Sequence, residues 1–434
     1  MGNATETTAT KSQAKAHADA PRCPFVDGVA FDPMEHSQIL DPHPWLKAAR
    51  EESPVFYMDE YDEWWVTRYE DVLAIVKDTK RFSSKHVVVP KAMPGMEEAY
   101  PEGHPLAGGL INTDPPEHNR LRKVAQKAFT PGVIAPHEPA IRAYANSLID
   151  GFIADGKVNF TDRYTRLLAG GAITIATGAD SEKGDEFIRA NDYVLKSSVE
   201  APPMPPEEQQ EVIDGLRSFF EWLDGFIEER RENPKDDLCS ILVHAKAEDG
   251  SPTLSNWEIV RVLTNILTAG IDTTSALISM TMFNLLRERE RWERLQREPE
   301  LIPDVLDEVL RYAHPVRGLR RDVLEDVELG GVQLKKGTTL TVNYASAHRD
   351  QEVFGDADSF DIDRKDISKS FAFGKGTHFC IGKPLALMEA RISLELLLER
   401  IPDIRLPEGE FPKVVPTRLA AFVTDLNLEW PTAR

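Results

Sequence analysis

Phe373-Gly374-Lys375-Gly376-Thr377-His378-Phe379-Cys380-Ile381-Gly382 is the stretch on which the reading of this chain turns. Its glycines let the backbone bend tightly and come close to something flat or bulky. Pro384 follows, a residue suited to the first turn of a helix, so Cys380 falls just ahead of a helix N-terminus. Free N–H groups at such an end favour a thiolate, which predicts a lowered thiol pKa. A thiolate held in a glycine loop is a good soft ligand for a metal. The plain alternative is a glycine-rich turn around a buried structural cysteine.

The other two cysteines, Cys23 and Cys239, form no CxxC pair and no disulfide framework with the first. Reduced thiols in a cytoplasmic protein are the reading. The chain has 434 residues, with 51 Lys+Arg against 72 Asp+Glu and a formal net charge of −21. That field repels a phosphate backbone, so nucleic acid is excluded as a partner. With 41% hydrophobic residues the chain can build a core large enough to enclose a ligand.

Length alone suggests about three domains, yet no linker or internal repeat divides the sequence. Residues 1–20 are Thr/Ala-rich without an apolar core and read as a disordered tail, neither signal peptide nor anchor. Residues 21–434 read as a single domain. The apolar window 260–280 is interrupted by Arg261, Asn265, Asp272 and several hydroxyl residues. It predicts a buried or cavity-lining helix, and no membrane span.

Helix is expected over 44–51 and 70–78, with short strands at 54–57 and 64–67 between them. Residues 83–109, rich in Pro and Gly, read as a long loop, and such loops are usually functional. From 116 to 312 the pattern is mainly helical. Strand-like alternation takes over from 323 to 342, and helix resumes near 384. The expected architecture is mainly α with a smaller β portion (α+β) contributed by both ends of the sequence.

Three further strings stand out. Glu308 and Arg311 lie three apart and share a helix face, which alone is most often a surface ion pair. In Ala269-Gly270-Ile271-Asp272-Thr273-Thr274, an Asp and two Thr interrupt an apolar helix, which is costly unless they have a purpose or partners. Such threonines can bond back to the carbonyl four residues earlier and open the helix locally. Finally, Thr113-Asp114-Pro115-Pro116-Glu117-His118 reads as a helix start, with Asp114 as N-cap and Pro115 at the first helical position. His118 and Arg122 then project from one face.

The Phe-Gly-x-Gly-x-His-x-Cys-x-Gly string resembles the haem-binding loop of the cytochromes P450 at each diagnostic position. The three other strings follow the order and approximate spacing of that family, and the resemblance runs from about residue 44 to 430. It implies a soluble, bacterial-type P450 fold with haem b, iron protoporphyrin IX, buried between helices. By resemblance, Cys380 is the proximal iron ligand, and Phe373, Gly382 and Ala269 lie against the haem. His118, Arg122, His378 and Arg321 would hold its propionates. Ala269 and Gly270 would leave room for dioxygen, with Thr273 bonding the bound oxygen and Asp272 feeding protons inward from solvent. Glu308 and Arg311 would lock the core beneath the haem. His348-Arg349-Asp350 departs from the family's commoner Asn-Arg-Asp.

The same resemblance places the substrate pocket at Val87, Val88, Asn265, Thr268, Val316, Arg317, Leu319 and Phe422. Arg317 is either a substrate anchor or a group facing a propionate or solvent. The implied activity is oxygen insertion from O2 into a small, largely apolar molecule by a monomeric cytoplasmic monooxygenase. Electrons would come from a separate ferredoxin and its reductase, docking on Arg120, Arg122, Lys123, Lys127, Lys375, Lys383 and Arg391. A peroxide-driven peroxygenase on the same fold and a non-catalytic haem sensor are the alternatives.

Overall fold

The computed structural model describes residues 20–96, 103–179, 183–198, 201, 203–415 and 417–432. The tail expected over 1–20 lies, but for Ala20, outside the described residues.

One helix, Asn256–Leu286, organises the molecule. Ser255 Oγ accepts the Glu258 N–H, and the Glu258 carboxylate accepts the Ser255 N–H. This reciprocal cap satisfies two of the donors that a helix start leaves open. At 1.5 Å per residue the helix is about 46 Å long. Helices Arg166–Thr177, Gly184–Lys196, Ile302–Tyr312 and Lys383–Arg400 pack around it. Among the described residues it alone is long and apolar enough to cross a membrane, and most of that stretch is buried inside the fold.

Gly270 sits where this helix meets Arg166–Thr177. A Cβ there would come within 2.7 Å of Ile173 Cδ1, so the glycine lets the two helices approach. Its missing side chain thus makes room for Ile173, and both Gly270 and the exposed Ala269 line the cavity.

The β portion does join both ends of the chain. A five-stranded sheet has the order Val55–Met58, Glu63–Val66, Thr339–Asn343, Gly318–Val323, Phe82–Ser83. Glu63–Val66 and Thr339–Asn343 pair in parallel, with Trp64 opposite Leu340. The sheet carries its own apolar cluster, separate from the larger helical one. Strand structure begins at Gly318, five residues earlier than the sequence pattern indicates. Two buried arginines, Arg320 and Arg321, hide the apolar alternation there. Arg320 is compensated by Glu63, at 2.6 Å, which also accepts from Thr341.

The helix start near residue 115 also differs from expectation. Helix Glu117–Ala125 has Pro116 at its N-cap, without a side-chain cap. Asp114 instead accepts from the Ser83 hydroxyl (2.6 Å) and the Ser84 N–H (2.7 Å), tying the end of the sheet to this helix.

Candidate active site

The loop ahead of Lys383–Arg400 is shaped by backbone bonds. Gly374 N–H donates to Phe371 O at 2.7 Å, and Cys380 N–H to Phe373 O at 2.8 Å. Gly376 has φ +69°, and a Cβ there would meet the Val76 carbonyl at 3.0 Å. Only glycine suits both conditions. The loop presents Cys380 Sγ to a cavity, with the N–H groups of Gly382 and Lys383 directed at the sulfur.

Burial raises the Cys380 thiol pKa, while those two N–H groups and the charges of Arg122 and Lys383 oppose it. The lowering expected from a helix N-terminus is therefore outweighed by desolvation in the protein alone. A cation at the sulfur would reverse that balance. At Cys23 and Cys239 burial pushes each thiol up to about 12.

The central helix forms the opposite wall, with Asn265, Ile266, Ala269, Gly270, Thr273 and Thr274. Val87, Leu110 and Ile111 close one side, and Val316 and Leu319 another. His118, Arg122, Arg321 and His378 line it as well. The His118 and His378 rings lie 4.1 Å apart. Burial, then the nearby charges of His118, Arg321 and Arg122, hold His378 down to about 3. Its Nε2 is buried without a hydrogen-bond partner among the described residues. Arg122 bonds Phe379 O at 2.5 Å, Arg321 bonds Arg320 O at 2.6 Å and the Tyr344 side chain, and neither pairs with a carboxylate among the described residues.

Two guanidinium groups, an orphaned imidazole and a soft sulfur thus face one mainly apolar cavity. A large, flat, apolar ligand carrying a soft metal and peripheral carboxylates fits this donor set. A model of the cytochrome P450 family matches residues 56–421. The chain belongs to the cytochrome P450 family. Its relatives include the putative cytochrome P450 YjiB of Bacillus subtilis, 34% identical over 84% of this chain and 88% of that protein. Epothilone C/D epoxidase of Sorangium cellulosum is 33% identical over 87% of this chain and 90% of its own length. The structure of cytochrome P450 CREJ in complex with (4-ethylphenyl) dihydrogen phosphate superposes with a TM-score of 0.84. It is 29% identical and covers 92% of this chain and 99% of its own.

In this P450 the Glu308–Arg311 pair is fully buried, at 2.7 Å. Arg311 also donates to the carbonyls of His348, Ala357 and Ser359. Arg364, which the sequence gave no sign of, donates to both Glu308 oxygens at 3.2 Å. His348 is wholly buried, stacks 5.0 Å from His314, and accepts the Phe371 N–H at the start of the cysteine loop.

Thr273 Oγ1 donates to Ala269 O at 2.5 Å, the back-bond anticipated from sequence. Asp272 does not line the cavity. It accepts from Asn191 Nδ2 at 2.7 Å and lies 3.4 Å from Arg166 Nε, on the far side of the helix. Burial raises its carboxyl pKa, with Arg166 and Asn191 opposing. An apolar helix with an inward Asp requires a partner, but the sequence did not say which residue supplies it.

Four expected pocket residues stand outside the wall. Arg317 follows Val316 in extended chain and so faces the other way, beside Asp41 and His43. Burial holds it down to about 10. It is therefore no substrate anchor in this cavity. Val88 is not part of the wall that Val87 joins, and its backbone is held by Asn112. Thr268 is turned off the cavity face and bonds Thr264 O. Phe422 packs into the helical core. The basic cluster also shrinks: Arg120 pairs with Glu117 and Glu258, and Arg391 with Glu138 and Glu395. Lys123, Lys127 and Lys375 remain exposed beside exposed Phe379.

Proposed function

We propose that this protein is a haem-thiolate monooxygenase of small, largely apolar molecules, working in a reducing cytoplasm as a monomeric single domain spanning 21–434. The observation that carries this reading is the meeting of Cys380 Sγ and Thr273 across one apolar cavity. When bound, haem b would supply the chemistry by which dioxygen, two electrons from the donor and two protons give one oxygen atom to the substrate and one water.

The chain's own residues do the rest. Cys380 ligates the iron, and the N–H groups of Gly382 and Lys383 spread the charge of its sulfur. Phe373 packs on the sulfur side, and His118, Arg122, Arg321 and His378 take the propionates. Thr273 has committed its hydroxyl proton to Ala269 O, so its oxygen lone pairs are free to accept from water in the cavity. Asp272, held off the cavity by Asn191 and Arg166, would have to turn from them toward Thr273 to pass a proton inward. The apolar wall excludes bulk water and selects apolar substrates.

An acidic ferredoxin would dock over Lys123, Lys127, Lys375 and the exposed Phe379, next to the sulfur, and would take its own electrons from a separate reductase. Hydroxylation, dealkylation or epoxidation would all suit an apolar cavity, and the similarity to an epothilone epoxidase and to a complex with an aryl phosphate supports an organic substrate. The test is turnover of haem-loaded protein with a ferredoxin, its reductase and NADH, against turnover with hydrogen peroxide alone. Faster ferredoxin-supported product formation supports the monooxygenase. Turnover with peroxide only would make it a peroxygenase, and none with any donor a haem sensor.

A further inference from the structure

Leu110 and Ile111 form the side of the cavity that belongs to no large element. Their segment is braced within itself. Asn112 Nδ2 donates to Val88 O (2.6 Å) and Leu106 O (2.9 Å), and Asn112 Oδ1 accepts the Val88 N–H (3.0 Å). Its attachment to the central helix runs through Asn265, whose Oδ1 accepts the Ile111 N–H at 3.2 Å.

Asn265 also lies flat on Gly109. A Cβ on Gly109 would fall 2.4 Å from Nδ2, 2.5 Å from Oδ1 and 2.6 Å from Cγ, a near-equal set that places the amide face over the glycine. The backbone does not require glycine there. Gly109 has φ −83° and ψ −174°, extended values open to any residue. Gly108 beside it, at φ +75°, is the one the turn itself demands. What demands Gly109 is the Asn265 amide.

Asn265 is only 6% exposed, and its Nδ2 has no hydrogen-bond partner among the described residues. An unsatisfied buried donor is destabilising, a cost that an apolar side chain at 265 would avoid. Its contribution is therefore positional. We propose that Asn265 and Gly109 form a matched clasp that fixes Leu110 and Ile111 against the central helix and so sets which substrates fit the cavity. The inference rests on reading this cavity as the substrate chamber. Asn265 and Gly109 are positioning residues and touch no reacting atom.

The experiment compares Asn265→Ala, Gly109→Ala and the double variant in haem-loaded protein. Titrations with imidazole and with 4-phenylimidazole, followed by the absorption shift, separate access to iron from contact with the wall. In either single variant 4-phenylimidazole should bind about tenfold more weakly and imidazole within about twofold of the native value. The double variant should be no weaker than Asn265→Ala, because without the amide the new methyl meets nothing. Hydrogen exchange of a peptide covering 106–112 should quicken in both single variants, with no further gain in the double. Additive losses, equal weakening of both ligands, or unchanged exchange would overturn the clasp. If neither ligand shifts the native spectrum, the haem-site reading fails, and the exchange arm still decides the clasp.

Discussion

Thr273 and Glu389 show how one side chain's surroundings set its chemistry. Thr273 is placed by its own helix, through the bond to Ala269 O, and presents an acceptor to the cavity. In Thr273→Ala, NADH consumption should continue while product per NADH falls about tenfold or more, measured by product yield against peroxide release. Glu389 lies on the helix after Cys380, wholly buried, with Oε2 unpartnered. Burial raises its carboxyl pKa well above the usual range. A raised acid takes up a proton on folding, so its stability contribution is full below the unfolded-state pKa. That contribution is lost as pH climbs toward the folded value. Glu389→Gln should therefore melt higher than the native chain at pH 8, with the gap closing by pH 4 in calorimetry. Sequence marked Thr273 but not Glu389, because an isolated Glu in a helix reads as a solvated face until the tertiary structure covers it.

At the scale of elements, helix Ile302–Tyr312 is bolted to the segment 348–364 by Glu308, Arg311 and Arg364. Arg311 makes bonds to a carboxylate and three carbonyls, all out of water. Arg311→Ala should cost about 3–5 kcal/mol in denaturant unfolding and abolish haem incorporation. Arg311→Lys should not rescue it, since one ammonium cannot reproduce the planar fork. The pair was legible as a spacing, whereas Arg364 was not, because only the loop's return path brings it to Glu308. The same limit misplaced Asp114 as a helix cap. Its carboxylate found two donors across the sheet end, and a cap that competes with tertiary partners cannot be identified from local sequence alone.

Over the whole molecule, the −21 charge is unevenly distributed. Exposed Lys123, Lys127 and Lys375 gather near the cysteine loop, while Arg120 and Arg391 are neutralised in place by carboxylates. Reduction by an acidic ferredoxin should slow as ionic strength rises, and Lys375→Glu should lower the rate about tenfold at low salt in stopped-flow traces. The sequence by itself determined the family, the helix-rich body and the two-ended sheet, and it singled out Cys380. These rest on contiguous strings and on hydrophobic period, which need only a few neighbouring residues. The tertiary structure alone decided which side chains face the cavity. Asp272 turned to Arg166, Arg317 turned to Asp41, and Gly109 was cut to fit Asn265, because orientation depends on what packs against a residue from distant parts of the chain.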